Sequence, residues 1–388
     1  MENVSSRCGK SDNAPRLRFP EFRGEWEEKK IKEFANCYAG ATPSTKERKY
    51  WENGTIPWLS SGEVNKKHIS FTDNFITKIG YDSCSTKMIP ANTVVMALAG
   101  QGKTRGTVAI TEIELCTNQS LASIVTNETV DDKFLLYYLE TQYSNLRAIS
   151  SGDGTRGGLN LNIINEYSVF LASLPEQKKI AAFFTLLDRR IQKQRQLVEF
   201  LKTYKRGVIK QYFSAQKDNT KWTKSTISNC LFYEQPQKYI VHSEHYSNTY
   251  ETPVLTANKA FILGYTNELD GIYDKGDVLI YDDFTMEVKY VDFPFKVKSS
   301  TIKMLTPQSG IDLYFMFTLL KSLDLQPEGH QRSYISILEP MEVNIPCYEE
   351  QTIASRIFRL LDKQIEKEQQ LLHKILDLKS SLLQKMFI

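Results

Sequence analysis

Residues 174–213 read LPEQKKIAAFFTLLDRRIQKQRQLVEFLKTYKRGVIKQYF, and residues 349–387 repeat the pattern as EEQTIASRIFRLLDKQIEKEQQLLHKILDLKSSLLQKMF. With an offset of 174 residues, Glu176-Gln177 matches Glu350-Gln351, and the motif Leu-Leu-Asp recurs at the corresponding place. Each segment predicts one long helix, and Ser173 followed by Glu176 is a capping box for the first. The chain is therefore built on an internal duplication.

Apolar residues in both segments recur about every 3.5 residues, which is the period of helices that wind around each other. Polar residues interrupt the two apolar seams at matching places, Gln194 with Glu368 and Lys205 with Lys379. Two unrelated surface helices would not share these interruptions, so we predict that the helices pack as a coiled coil. An antiparallel pair would place the flanking domains at opposite ends, related by a pseudo-twofold axis, and a parallel pair would crowd both at one end.

The segments before the two helices also correspond, with an offset of 196 residues that matches Trp26 to Trp222. Short alternating apolar runs such as GDVLIYDDF and TVAITEIEL indicate strands, and KFLLYYLE and LYFMFTLLKSL indicate one helix in each segment. The predicted fold class is mixed α+β: two α/β domains separated by two long helices packed as an antiparallel coiled coil, in a pseudo-twofold repeat. The predicted order is a flexible N-terminus (1–15), a first variable domain (16–173), the first helix (174–213), a linker (214–221), a second variable domain (222–345) and the second helix (346–388).

The composition is ordinary for a soluble globular protein, with a formal net charge of +3. Residues 175–213 are locally basic, with ten Lys or Arg against three Asp or Glu. Six scattered cysteines without a CxxC pair indicate free thiols in a reducing cytoplasm, and the HxxH of His242 and His245 has no partner cluster for a metal. We find neither a bilayer-spanning apolar run nor a signal-peptide core, so we expect a cytoplasmic protein.

The stretch MALAGQGKTRG, residues 96–106, contains Gly-Lys-Thr and invites comparison with an ATP-binding loop. That loop requires a glycine where this chain has Ala97, and a helix must follow so that its N-terminus faces the phosphates. The next residues, RGTVAITEIEL, alternate as a strand does. We therefore predict a basic, glycine-bracketed loop between two strands.

Several motifs in this order resemble the DNA-specificity subunit of type I restriction–modification systems, in the full-length form with two target-recognition domains. They are PRLRFPEFRGEWEEKKIKEF, IPWLSSGEV, GQGKTRG, TNQS and the paired EQ…LLD helices, with PVLTANKAFILGYT, DDFTMEVKYVDFPFKV and HQRSYISI in the second half. The resemblance covers the chain from about Pro15 onward. It implies that each variable domain reads one half of a bipartite, asymmetric sequence in double-stranded DNA.

The same resemblance implies the partners and their cofactors. Two methyltransferase (modification) subunits would use S-adenosylmethionine to methylate adenine at N6, and two motor-nuclease (restriction) subunits would use ATP and Mg²⁺. The chain itself would be non-catalytic and hold no cofactor or metal. Consistent with this, it has no two adjacent prolines, which the base-holding loop of such a methyltransferase needs.

Two other interpretations stay open from the residues alone. A stand-alone Mg²⁺-dependent nuclease could use Asp277 with Glu287 and Lys289, whose spacing on strand-like segments mimics a nuclease motif. A coiled-coil scaffold that binds only protein would show no salt-dependent DNA binding. The basic first helix could face either spacer-DNA phosphates or the methyltransferase.

Candidate DNA contacts are polar and charged residues on loops, since these side chains read base edges and bind phosphates. Trp26, Trp58 and Trp222 are expected to be core anchors instead. In the first domain the candidates are Ser60, Ser61, Glu63, Lys66, Lys67, Gln101, Lys103, Thr104, Arg105, Thr155 and Arg156. In the second domain they are Thr256, Asn258, Lys259, Tyr281, Asp283, His330, Gln331 and Arg332.

Overall fold

A computed structural model describes residues 13–100, 103–150, 158–215, 221–256, 261–326 and 332–388. The chain divides into two compact units. The first consists of residues 1–194 together with 372–388, and the second consists of residues 195–371. The C-terminal residues thus belong to the same unit as the N-terminal half.

The first unit contains ten strands and five short helices among its described residues, followed by the start of a long helix. They are β1 (Glu27–Lys30), α1 (Ile31–Phe34), β2 (Ala35–Ala39), β3 (Ile56–Leu59), β4 (His68–Ile69), β5 (Asn74–Ile76), α2 (Lys78–Asp82), β6 (Val94–Ala97), β7 (Val108–Thr111), β8 (Cys116–Thr117), β9 (Leu121–Thr126), α3 (Asp132–Thr141), α4 (Tyr143–Ile149), α5 (Leu161–Asn165) and β10 (Ser168–Leu171), with 3₁₀ turns at Arg48–Tyr50 and Ser61–Lys66. The strands form a five-stranded sheet in the order β2-β9-β6-β7-β4, a three-stranded sheet β5-β3-β8, and the pair β1-β10.

The second unit repeats this plan between two long helices, α6 (Leu174–Ala215) and α9 (Tyr348–Met386). Its elements are β11 (Thr223–Thr226), α7 (Ile227–Cys230), β12 (Leu231–Glu234), β13 (Thr252–Leu255), β14 (Ile262–Thr266), β15 (Val278–Asp282), β16 (Val288–Val291), β17 (Lys296–Val297), β18 (Ile302–Pro307), α8 (Leu313–Ser322) and β19 (Glu342–Ile345), with a 3₁₀ turn at Pro236–Tyr239 and a π turn at Tyr334–Leu338. The sheets are β12-β18-β15-β16, β14-β13-β17 and the pair β11-β19. Each sheet of the second unit therefore has a counterpart in the first.

The two long helices run antiparallel in each unit taken by itself, as the seam predicts. In the first unit Phe184 near the start of α6 packs against Phe387 just beyond the end of α9, with ring centroids 5.8 Å apart. In the second unit Tyr212 near the end of α6 packs edge-on against Phe358 near the start of α9. Trp26 and Trp222 are buried beside these contacts, which confirms that they are core anchors.

The Glu-Gln pair that begins each long helix fastens it to the neighbouring domain helix. The Gln177 side chain accepts the backbone N–H of Asp131, and Asp131 in turn caps α3 by accepting N–H groups of its first turn. Gln351 accepts the N–H of Asp312, which caps α8 in the same way. Since each cap satisfies orphan N–H groups of one helix and holds another helix in place, the repeated motif fixes how helix and sheet meet.

The lysines that interrupt the seams each pair with an aspartate on the other long helix. Lys379 Nζ lies 2.6 Å from Asp188 Oδ1, and Lys205 Nζ lies 2.5 Å from Asp362 Oδ1. A tyrosine hydroxyl donates to each aspartate. Tyr137 on α3 donates to Asp188, and Tyr314, at a different position of α8, donates to Asp362. The lysine that interrupts each seam thus forms a lysine–aspartate–tyrosine contact, one in each unit.

The two contacts differ in exposure and in the number of charges around them. Asp188 is 14% exposed and Asp362 is 40% exposed. Lys67 also lies 3.0 Å from Asp188 and 2.7 Å from Glu140. Burial would raise the pKa of Asp188, but the hydrogen bond from His68 and the charges of Lys67 and Lys379 hold that pKa well below its usual range.

We predict that Asp188→Asn destabilises the chain more than the matched substitution Asp362→Asn. Removing the buried carboxylate leaves two lysines without their shared partner, which should lower the free energy of unfolding by about 3 kcal/mol. Removing the exposed carboxylate of Asp362 should lower it by about 1 kcal/mol. Urea unfolding followed by circular dichroism measures both. Equal losses for the two variants would contradict the difference that we assign to burial.

The difference in the free energy of unfolding between the wild type and Asp188→Asn should also depend on pH. The folded-state pKa of Asp188 is lowered, so its charge stabilises the fold above the unfolded-state pKa of about 3.9, and this contribution is lost as the pH falls below that value. Urea unfolding at pH 7, 5 and 3 should show a constant difference between pH 7 and 5 and a smaller one at pH 3. A difference that does not shrink at pH 3 would show that the carboxylate charge is not responsible.

Candidate nucleic-acid interface

Three loops of the first unit converge at one edge of its sheets. β3 and β8 are parallel neighbours, so the chain leaves both strands at the same edge, and the N–H of Asn118 donates to Leu59 O at 3.0 Å. β6 ends opposite Leu121, the first residue of β9, so its loop emerges there as well. We call the described residues of these loops, 60–62, 98–100, 103–106 and 118–120, the first loop edge.

Backbone hydrogen bonds join these loops to one another. The N–H of Leu98 donates to Ser120 O at 2.8 Å, and the N–H of Leu159 donates to Leu98 O at 3.1 Å. The loop after β6 is therefore held between the loop after β8 and the chain segment that leads into α5.

The second unit reproduces the same hydrogen bonds with different side chains. The N–H of Lys298 donates to Leu255 O, that of Asp283 to Thr301 O, and that of Ser333 to Asp283 O, at 2.9 to 3.1 Å. We call residues 256, 283–287 and 298–301 the second loop edge. The two edges have a common backbone frame, and their polar side chains differ.

The loop of residues 98–107 is a hairpin connection. β6 and β7 pair antiparallel on either side of it, and Gly106 returns its N–H to Ala97 O at 2.9 Å with φ of +82°. The hydroxyl of Tyr143 donates to Lys103 O at 2.9 Å and fixes the loop against α4. A strand follows where a phosphate-binding loop requires a helix, which confirms the prediction of a loop between two strands.

The first loop edge presents some of the predicted contacts to solvent. Lys103 is exposed, and Thr104 and Arg105 are half-buried on the hairpin loop. Ser60 and Ser61 are half-buried at the end of β3. These five residues are placed so that they could contact a ligand that covers the edge.

Two other predicted contacts of the first unit, Glu63 and Lys67, are occupied in structural roles. Glu63 is buried, accepts the N–H of Ser60 at 3.1 Å and pairs with Lys66 at 2.9 Å, so it closes a capping box. Lys67 belongs to the Asp188 network. The prediction that Glu63 and Lys67 face DNA is therefore corrected: ion pairing within the fold uses both charges, while Lys66 stays partly exposed beside Asp73.

Tyr281 and Asp283, two of the predicted contacts of the second unit, are buried and bonded within the fold. Tyr281 lies in β15 and shares a hydrogen bond with Ser333, and burial raises its pKa to about 12. In the three matching backbone hydrogen bonds, Asp283 occupies the position that the apolar Leu98 has in the first unit. Its carboxylate pairs with Lys303 at 2.9 Å. We therefore correct the assignment of these two residues from DNA contacts to internal structure.

Thr256 is buried just after β13. Arg332 is exposed and precedes Ser333, whose N–H donates to Asp283 O. The remaining predicted contacts, Gln101, Thr155, Arg156, Asn258, Lys259, His330 and Gln331, lie outside the described residues. They stay predictions.

The structure adds residues that sequence reasoning missed. Gln119 is exposed on the first loop edge, where Thr42 donates to its Oε1 at 2.5 Å. Ser299 and Ser300 occupy the matching loop of the second edge. The two-residue strands β8 and β17 that position these loops have no visible periodicity, and the motif TNQS was the one available signal.

The carboxylates of the alternative nuclease site are far apart. Tyr281 pairs with Val288 in the β15–β16 hairpin, so Glu287 lies beside Asp282, and Asp277 lies five residues further along the strand. At about 3.4 Å per residue that separates Asp277 and Glu287 by about 17 Å, too far to share one Mg²⁺. Within the described residues no group of three or more His, Cys, Asp or Glu is arranged to hold a metal, and no helix is long and apolar enough to cross a bilayer.

A family model of the type I restriction modification DNA specificity domain matches residues 23–203. The chain is 47% identical over 141 residues to the EcoR124I/EcoR124II specificity subunit of Escherichia coli, covering 34% of this chain and 35% of that relative. It is 29% identical over 194 residues to the MjaIX specificity subunit of Methanocaldococcus jannaschii, covering 49% and 44%. The matches thus span less than half the length of either curated relative.

The fold as a whole is similar to a solved structure, the type I restriction–modification S subunit from M. genitalium. The TM-score is 0.66 at 16% identity, and the match covers 97% of this chain and 99% of that one. A second structure, from work on assembly of the type I R-M system, matches with a TM-score of 0.57 over 93% of this chain and 97% of that one. These likenesses show that the fold, including both units, is shared.

We predict that Gln119→Ala weakens specific DNA binding by about 1–3 kcal/mol, because an amide that reads a base edge contributes that much discrimination. The matched control is Gln384→Ala, which removes an exposed amide on α9 away from the loop edge. Fluorescence anisotropy with the target duplex measures both, and thermal unfolding checks the fold. Unchanged affinity in Gln119→Ala would exclude this residue from the interface.

Proposed function

We propose that the chain is the DNA-specificity subunit of a type I restriction–modification complex, because the family model of the type I restriction modification DNA specificity domain matches its residues 23–203. Each unit reads one half of a bipartite, asymmetric target in double-stranded DNA. The protein acts in the cytoplasm as a non-catalytic subunit.

The observation that carries this proposal is the repeated frame of the two loop edges. The same three backbone hydrogen bonds hold loops with unlike polar residues, Ser60 and Gln119 in one unit and Ser299 and Arg332 in the other. Loops on a rigid sheet edge are suited to recognition, because their side chains vary while the frame stays constant. Two different surfaces on one scaffold fit a target with two different halves.

We propose a revised set of DNA contacts from the described residues. Hydroxyl, amide and cationic side chains at the two loop edges or beside them are suited to base edges and phosphates. The set is Thr42, Ser60, Ser61, Lys66, Lys103, Thr104, Arg105, Gln119, Ser120, Ser299, Ser300 and Arg332.

The chemistry is proposed to reside in partner subunits. Two methyltransferase subunits with S-adenosylmethionine methylate one adenine in each half-site at N6, and two motor-nuclease subunits supply ATP- and Mg²⁺-dependent restriction. The separation of Asp277 from Glu287 supports this assignment over a stand-alone nuclease. A scaffold that binds protein alone would not require two polar loop edges on one repeated frame.

Mapping methylated adenines tests the proposal, in a host that lacks adenine methylation and expresses this chain with its methyltransferase. We expect a bipartite motif with one modified adenine in each half, on opposite strands. No modification by a complex shown to be assembled and competent would contradict the function. Cleavage of DNA by the purified chain with Mg²⁺ would favour the nuclease.

Arg105→Ala and Arg332→Ala should each affect a different half of that motif, because the two residues belong to different units. Where the arginine reads a base, one position of one half becomes degenerate and affinity falls by about 1–3 kcal/mol. Where it binds phosphate, affinity falls evenly across sequences and the salt dependence weakens. A change in both halves from either substitution would contradict the assignment of one unit to one half.

A further inference from the structure

The second unit contains an open cavity of about 970 Å³ that the proposed DNA interface does not use. The last turns of α6 and α8 and the strand β19 form its walls. Its floor is apolar and includes Phe213 and Phe317, and four cationic side chains line it, Lys205, Arg206, Lys210 and Lys321. Two carboxylates, Asp324 and Glu342, also line it, so positive charge is in excess.

The repeat explains why space remains here. Aligning α3 with α8 by their capping residues Asp131 and Asp312 places Tyr138 at the position of Leu319, and aligning β10 with β19 places Phe170 at the position of Asn344. Both aromatic rings pack in or against the core of the first unit. Leu319 and Asn344 are smaller and both line the cavity. The second unit thus lacks the side chains that fill this region in its own duplicate.

The repeat also shows a reversal of charge. Lys321 occupies the position that Glu140 occupies in the first unit, where Glu140 pairs with Lys67 and Lys379. Lys321 instead adds a cation to the wall that already contains Lys205. Lys321 is exposed at the rim of the cavity, where partial desolvation and the nearby charges of Lys289 and Lys205 lower its pKa, so an anion at this wall would be favourable.

We propose that this cavity binds a protein segment that presents a carboxylate beside an apolar side chain. The segment belongs to a methyltransferase subunit of the complex, so the inference rests on the function proposed above. The carboxylate pairs with the cations of the wall, and the apolar side chain covers the phenylalanines of the floor.

The shape of the site favours a protein segment over the DNA backbone. Side chains that bind only phosphates need positive charge and no apolar surface beside it. Here the cations surround a recessed floor that combines Phe213 and Phe317 with Trp222. An apolar floor with a charged rim is the arrangement of protein interfaces, where buried apolar anchors are ringed by polar groups.

Charge reversal tests the cationic wall. Lys210→Glu should weaken assembly with the methyltransferase subunit about tenfold or more, because it places like charges opposite each other. Lys193→Glu, an exposed lysine of the same helix outside the cavity, is the matched control and should change assembly less than about twofold. Lys205 is unsuitable, since it pairs with Asp362. Isothermal titration calorimetry of the two purified proteins measures assembly.

Equal effects of Lys210→Glu and Lys193→Glu, or none from either, would overturn the proposal. Unchanged assembly with a weaker salt dependence of DNA binding in Lys210→Glu would assign the wall to DNA phosphates and also overturn it. The wild-type complex must first produce bipartite adenine methylation. Failure at that step would count against the proposed function, and loss confined to Lys210→Glu counts for the cavity.

A photo-crosslinking amino acid at Leu323, a partly exposed lining residue, identifies the occupant directly. In the assembled, DNA-bound complex we expect a crosslink to a methyltransferase peptide that contains Asp or Glu next to an apolar residue. Mass spectrometry reads the peptide. Crosslinks only to DNA or only within this chain, or no crosslink at all, would refute the proposed occupant.

Discussion

The lysine–aspartate contact across the two long helices is the constraint on which the remaining structure depends. The contact between Lys379 and Asp188 is largely buried in the seam of the first unit, and the matching contact between Lys205 and Asp362 in the second unit is more exposed. If either helix slipped by one turn, a largely buried charge would lose its partner at a cost of several kcal/mol. The contact therefore selects one register of the helix pair, and the tyrosine of α3 or α8 that joins it extends the same register to each domain.

The sequence predicted the features that repeat along the chain. It did not predict the side-chain contacts between residues that the fold brings together. The seam and its interruptions identified the helices, although the first ends at Ala215 rather than residue 213 and the second begins at Tyr348 rather than residue 346. Periodicity could not reveal that Lys303 neutralises Asp283 or that Ser60 and Glu63 satisfy each other. Those roles come from strand neighbours that lie far apart in the chain or from a local turn.

The duplication separates what holds the fold from what varies on it. Gln177 and Gln351 make the same contacts to the caps of α3 and α8, and the loop edges have the same backbone hydrogen bonds. Elsewhere the two copies have diverged as far as exchanging Glu140 for Lys321. Contacts from side chain to backbone tolerate such divergence, because they depend on the path of the chain and little on the identity of its neighbours.

The return of the last helix to the first unit has a consequence for synthesis on the ribosome. Phe387 packs among Trp26, Phe134 and Phe184, so residues synthesised after the whole second unit complete a core that was begun before it. The second unit spans residues 195–371 without interruption and is fully synthesised earlier. Folding in the order of synthesis is the usual course for multidomain chains, yet here the unit that is begun first is the one that is finished last.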